Sequence, residues 1–128
     1  MKKILILLLI LAPLFTNAQV WYKAIATSSQ QGNAQPGDFE DCDARVLRKD
    51  NVVKLFAEHG AYSFRSVDGG YKTERDSDGN ISQTSKCVDE SGKFCELTFM
   101  HDKSNPFILL LIQYEDFTAC FIIVPDDE

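Results

Sequence analysis

The chain lacks the short motifs by which many enzymes and nucleotide-binding proteins are recognised. It contains no G-x-G-x-x-G, no P-loop and no G-x-S-x-G nucleophile elbow. Only two histidines are present, His59 and His101, and both are isolated from any pair of cysteines. We therefore expect no cofactor, and the sequence assigns no catalytic, cofactor-binding or metal-binding residue.

Long hydrophobic segments are also missing, apart from one at the N-terminus that is shorter than the roughly 20 residues a membrane-spanning helix needs. There, Lys2 and Lys3 precede an aliphatic run, which is followed by the small or polar residues Thr16, Asn17 and Ala18. This order is typical of a secretory signal peptide. The sequence predicts a signal peptide over 1–18 with cleavage after Ala18, and an uncleaved membrane anchor is the alternative.

Positive charge is scarce as well, since 13 lysines and arginines face 19 acids and the formal net charge is −6. Loss of Lys2 and Lys3 with the leader makes the remaining domain more acidic still. Such a domain repels phosphate groups, so we expect no nucleic-acid partner. No later segment is long and apolar enough to cross a bilayer, so we expect no membrane span after cleavage. The first cysteine, Cys42, is far from the predicted cut, which argues against a lipid anchor. We expect a periplasmic or secreted protein.

Four cysteines, an even number, suggest two disulfides in an exported protein. Cys87 and Cys95 flank a predicted hairpin turn and could lie opposite each other, which would leave Cys42 to pair with Cys120. The other two connectivities stay possible, and Cys120 could instead be a buried free thiol. The closest two cysteines are eight residues apart rather than three, so a zinc site is not expected.

Short strand-like runs separated by turn residues dominate the sequence after Cys42. Lys49-Asp50-Asn51 and Glu90-Ser91-Gly92 are hairpin turn signals. The last two runs, 107–114 and 117–124, are the most apolar and do not alternate cleanly, as in strands buried on both faces. The pattern predicts a single all-β domain over 19–128, an antiparallel meander that closes into a small barrel or a two-layer sandwich. A polar loop is expected at about 28–41, and Trp21 is expected in the core.

Two acidic segments could carry chemistry. Asp76-Ser77-Asp78-Gly79-Asn80 resembles the start of a calcium loop, but it lacks the glycine and the acid that an EF-hand places further along, so a plain hairpin turn is favoured. The second segment surrounds Cys42 and contains Asp38, Glu40, Asp41 and Asp43. Paired carboxylates can perform acid–base catalysis, yet acids in a polar loop are more commonly solvated.

The run Cys87-Val88-Asp89-Glu90-Ser91-Gly92-Lys93-Phe94-Cys95 follows a first strand that contains tryptophan and the Asp41-Cys42-Asp43 segment. In this layout the chain resembles small exported bacterial β-proteins of an uncharacterised family, in which a C-V-D-x-x-G-x-x-C hairpin recurs within a β-meander. The resemblance implies a fold and an exported location. It implies no activity.

The absence of catalytic motifs favours a non-enzymatic module that binds an unknown protein or a small apolar ligand. A ligand-holding module requires a cavity, and an interior filled by Phe, Leu and Ile would leave protein interaction as its role. The alternative is a small envelope hydrolase that uses aspartate and histidine. That hypothesis requires His59 or His101 to meet the 38–43 acids in one cleft.

Overall fold

A computed structural model describes residues 19–32, 35, 37–67 and 70–126, and the predicted signal peptide at 1–18 lies outside these residues. The described residues form nine β-strands and contain no helix that could span a membrane. The strands are β1 (Gln19–Gln31), β2 (Glu40–Lys49), β3 (Val52–Ala57), β4 (Gly60–Ser66), β5 (Lys72–Arg75), β6 (Ile81–Asp89), β7 (Phe94–His101), β8 (Ile108–Gln113) and β9 (Phe117–Pro125).

Eight of these strands form a closed antiparallel barrel. Neighbours in the sheet follow the order β4-β3-β2-β1-β9-β8-β7-β6, and β4 pairs with β6 to complete the circle. The ninth strand, β5, pairs with β6 on the same edge as β4, so that β4 and β5 together cover the length of β6. The predicted all-β meander is therefore confirmed, and of its two forms the barrel is the one observed.

Alternating side chains from the eight barrel strands fill the interior. Val46, Leu97, Leu110 and Ile123 are completely buried, and Val53 is almost so. Because successive residues of a strand point to opposite faces, the intervening side chains line the outer surface. The middle of the barrel is thus a packed core, in which Ser85 satisfies its hydroxyl by a 2.7 Å hydrogen bond with Ser66.

Tight turns join β2 to β3 and β6 to β7 at the positions that the sequence predicts. Asp50 has a φ of 48° in the first turn, and Gly92 has a φ of 85° in the second. In the second turn Gly92 N–H donates to the Asp89 carbonyl over 3.0 Å, which closes a three-residue loop. Asp and Gly are common in these positions because they tolerate a left-handed backbone.

The first strand is longer than the sequence suggests. Residues 28–31 were expected in a polar loop, but they belong to β1 and pair with residues 117–120 of β9. Backbone hydrogen bonds to β9 hold this segment in the sheet, because such bonds do not depend on whether the side chains are polar or apolar. Ser28 is buried because its Oγ donates to the Gly37 carbonyl over 2.6 Å, which attaches the loop to the strand.

The Asp89 carboxylate accepts hydrogen bonds that hold together the end of the barrel at the β6–β7 turn. Its Oδ1 accepts 2.9 Å hydrogen bonds from the backbone N–H groups of Ser91 and Lys93, and its Oδ2 accepts one of 2.8 Å from the Tyr114 hydroxyl. These bonds, above all the one from Lys93, hold the pKa of Asp89 below its usual value. The charged form is therefore the one that stabilises the fold.

Leu110→Ala should lower the free energy of unfolding by about 2–5 kcal/mol, because it leaves a cavity in the packed core. Leu109→Ala removes the same atoms from the outer face of the same strand and should cost about 1 kcal/mol or less. Urea unfolding followed by fluorescence measures both values. Equal losses in the two variants would contradict the assignment of the barrel interior.

Asp89→Asn should reduce stability at pH 7, and the deficit should shrink as the pH falls. The folded-state pKa is lowered, so the contribution of Asp89 is complete above its unfolded pKa of about 3.9 and disappears as pH falls through the folded value. Urea unfolding at pH 7 and at pH 3 tests this. Asp43→Asn, on an exposed carboxylate of β2, is the control, and a deficit of the same size at both pH values would refute the mechanism.

Candidate functional site

One end of the barrel opens into a cavity of about 290 Å³, which we call the mouth. It lies where β2 and β7 end and where β6 and β8 begin, with β5 as an additional wall. Its lining residues are Tyr22, Arg48, Thr73, Arg75, Ile81, Gln83, Phe99, His101 and Ile108. The walls therefore combine aromatic and aliphatic surface with three basic side chains, and no described lining residue is an acid.

Arg48 is the central polar group of the mouth, and it is only partly exposed. Its guanidinium carbon lies 4.2 Å from the ring centre of Tyr71 and 4.5 Å from that of Phe99. Its Nη1 donates to Gln83 Oε1 over 2.9 Å, and Gln83 Nε2 lies 3.4 Å from Thr73 Oγ1. Aromatic faces attract a cation, so these contacts fix the position of the guanidinium.

Tyr71 reaches the mouth from the segment between β4 and β5. Its ring packs edge-on against Phe99, with 5.9 Å between ring centres. Burial raises the pKa of Tyr71 to about 12, and the nearby Arg48 only partly opposes this effect. The phenol is therefore neutral at physiological pH, so it does not neutralise the charge of Arg48.

A second cavity, of about 510 Å³, lies on the outer surface next to the mouth. Its base is the outer face of β7, β8 and β9, where Met100, Leu109 and Ile122 stand in one cross-strand row. Asp76 and Asp102 lie at its rim. Backbone N–H groups of their own turns, those of Asn80 and Ser104 first, hold the pKa of each carboxyl below its usual value. We call this cavity the outer groove.

The acidic turn at 76–80 serves as a structural hairpin. Asp76 Oδ1 accepts 2.9 Å bonds from the backbone N–H groups of Asp78 and Asn80, and its Oδ2 accepts a 3.0 Å bond from the Asn80 side chain. Both carboxylate oxygens of Asp76 thus bind groups of the same turn. In the described part of the chain, no three His, Cys, Asp or Glu side chains are arranged to hold a metal ion.

The two disulfides expected from the sequence are not formed, and none of Cys42, Cys87, Cys95 and Cys120 takes part in a disulfide. Cys42 on β2 and Cys120 on β9 lie on opposite sides of β1. Two strand spacings amount to about 9.6 Å, which is beyond the roughly 7 Å that a disulfide can bridge between Cα atoms. Cys42 also shares the inward face of Ala44, whereas Cys120 shares the outward face of Ile122.

Cys87 and Cys95 do lie directly opposite each other, as the hairpin predicts. Asp89 N–H donates to the Lys93 carbonyl over 2.9 Å, and hydrogen-bonded and non-hydrogen-bonded pairs alternate along the ladder. Cys87 and Cys95 therefore form a hydrogen-bonded pair, whose side chains are further apart than in the alternating kind. This geometry leaves the two thiols beyond disulfide distance.

The residues proposed for a hydrolase do not form one site. His101 lines the mouth, where its Nε2 lies 3.2 Å from the Asn105 carbonyl, whereas Asp41 and Asp43 lie at the start of β2, at the opposite end of the barrel. His59 shares that opposite end. Among the residues that the structure describes, no hydrogen bond or ion pair joins His59 to Asp41 or Asp43. A charge-relay arrangement is therefore not present between these groups.

The sequence reasoning missed Arg48, although a signal for it exists. Ala44, Val46 and Arg48 occupy alternate positions of β2, and the first two are buried. A charged residue at the next inward-facing position marks a polar group inside the barrel. The partner rings could not be identified in the same way, because Tyr71 lies outside any strand and Phe99 is on a distant strand.

Iodoacetamide should modify Cys120 in the native protein before it modifies Cys95. Burial raises the pKa of the Cys95 thiol to about 11, so only about one molecule in a thousand carries the reactive thiolate at pH 8. Burial raises the pKa of the Cys120 thiol too, but Cys120 is partly exposed on the outer face, where the reagent has access, whereas Cys95 is buried. Peptide mass spectrometry measures both rates, with the urea-unfolded chain as the control. Equal native rates would contradict the burial of Cys95.

The mouth is thus a cavity at the end of a filled barrel, with a fixed guanidinium among aromatic rings. These features can hold a small molecule by contact with its apolar surface and by hydrogen bonds from the arginine. Comparison with protein-family models, with curated proteins and with solved structures finds no match, so the description of the site rests on its geometry.

Proposed function

We propose that this chain is an exported, non-enzymatic binding module that holds a small apolar molecule in the mouth of its barrel. The observation that carries the proposal is the open cavity of about 290 Å³ with Tyr22, Phe99 and Ile108 in its wall. Cavities that bind small molecules are concave and mostly apolar, with a few polar groups that orient the ligand. The mouth combines an apolar wall with polar groups that could orient a ligand, and its volume suits a ligand of about one ring.

A filled interior was expected to leave protein interaction as the role, but the filling does not extend to the mouth, which is the cavity that remains for a ligand. Leu97, Leu110 and Ile123 are completely buried in the middle of the barrel, so no channel leads inward. Tyr22 and Phe99 belong both to this core and to the cavity wall, with 6.2 Å between their ring centres. A wall that is part of the core is held in place before binding, which lowers the entropy lost when the ligand is immobilised.

A second candidate is binding of a protein partner on the outer surface of β1–β3. Trp21 was expected in the core, but it lies on the outer face, 5.8 Å from the exposed Phe56 between ring centres. The guanidinium of Arg45 stacks 4.6 Å above the Trp21 ring and pairs with Asp126 over 3.0 Å. Tryptophan and arginine are enriched at the energetic centres of interfaces. The hydrolase hypothesis gains no such support.

Phenylacetamide, a neutral aromatic probe, should bind the mouth. Titration into the isotope-labelled protein should give saturable chemical-shift changes in the backbone amides of Tyr22, Arg48 and Phe99. Thr73→Trp places a large side chain in the mouth from an exposed position of β5 and should weaken binding about tenfold or more, which is about 1.4 kcal/mol.

Lys72→Trp is the matched control, because the neighbouring position on β5 points to the other face. It should leave the dissociation constant of phenylacetamide unchanged. Two results would overturn the proposal. One is a titration with no saturable shifts, and the other is a set of shifts confined to the outer groove around Met100 and Leu109.

A further inference from the structure

We propose that the molecule held in the mouth carries a carboxylate, and that Arg48 binds this group while the aromatic wall contacts an apolar body. This inference rests on the proposed function, because it names the ligand class for the same cavity. It begins with the charge of Arg48. A partly buried guanidinium usually pairs with a carboxylate, since removal of a charge from water is costly.

Arg48 has no such partner among the residues that the structure describes. The one ion pair found there joins Arg45 to Asp126, on the outer surface. The described contacts of the Arg48 guanidinium are with a neutral amide, Gln83, and with the rings of Tyr71 and Phe99. A guanidinium carries five N–H donors, and a carboxylate accepts two of them in parallel. The cation is therefore held in position while donors remain for a ligand.

The other permanently charged group of the mouth has the same sign. Arg75 lines the cavity together with Arg48, and no described lining residue is acidic. The protein as a whole has a formal net charge of −6, so a basic cavity is a local departure from the average surface. Cations gathered around a cavity raise the local concentration of anions and orient them toward it. The charge distribution thus selects an anion over a neutral or cationic ligand.

The apolar part of the wall decides what kind of anion fits. Tyr22, Phe99 and Ile108 would remain partly hydrated beside a bare inorganic ion. An aromatic or branched aliphatic body would cover them and gain the free energy of apolar burial. The cavity of about 290 Å³ lies at the lower end of the range for small-molecule sites. We therefore infer a small carboxylate with one ring or an equivalent apolar group.

Phenylacetate and phenylacetamide differ in charge but have nearly the same shape, so they test this inference directly. Titration into the labelled wild-type protein should show phenylacetate binding at least about tenfold more tightly, which is about 1.4 kcal/mol. Arg48→Met should abolish the preference while phenylacetamide still binds. Arg45→Met, which removes an arginine already paired with Asp126, should leave the preference intact.

The possible outcomes distinguish the carboxylate assignment from the proposal that the mouth binds a small molecule. Equal binding of both probes to the wild type would overturn the carboxylate assignment and leave the binding function intact. Binding of neither probe would overturn the binding function itself. Inorganic phosphate that displaced phenylacetate at an equal concentration would show a simple anion site and refute the need for an apolar body. If Arg48→Met fails to fold, Arg48→Lys, which keeps the charge but loses the paired donors, should reduce the preference.

Discussion

The short contact between β4 and β6 is the constraint on which the rest of the molecule depends. Three residue pairs form it, Phe64 with Asp89, Arg65 with Val88 and Ser66 with Cys87. Without these pairs the sheet would have two free edges, and its buried face would be open to water. Asp89 contributes to the contact, to the β6–β7 turn and to the bond with Tyr114, so that one carboxylate joins the closure of the barrel to the end of β8.

The candidate site follows from the place where this contact ends. After Ser66 one more bond joins the chain to β6, from the Val67 N–H to the Lys86 carbonyl over 2.9 Å, and strand pairing with β6 resumes at Lys72. The intervening segment brings Tyr71 over Arg48, and β5 then extends the wall past the packed core. An irregularity in one strand pairing thus creates both the cavity and the support for its charged group.

The sequence predicts local features well and long-range ones poorly. Asp50 and Gly92 identify their turns because few residues tolerate those backbone angles, and the alternating runs identify an all-β chain. Positions that depend on the order of the strands in the sheet could not be predicted from the sequence. Cys42 and Cys120 lie on strands separated by β1, and Trp21 points outward while Tyr22 points inward. The inward-facing position of Arg48 could have been inferred from the alternation along β2, but its aromatic partners come from residues distant in sequence.

The pairing of β1 with β9 has a consequence for how the chain folds. The first and last strands of the barrel lie side by side over most of their length, although almost the whole domain separates them in sequence. Such contacts give a high contact order, and folding slows as loop closure becomes more costly. The barrel cannot be completed until synthesis reaches β9. Until then β1 lacks one of its two neighbours, so the domain cannot complete its fold while its last strand is still being made.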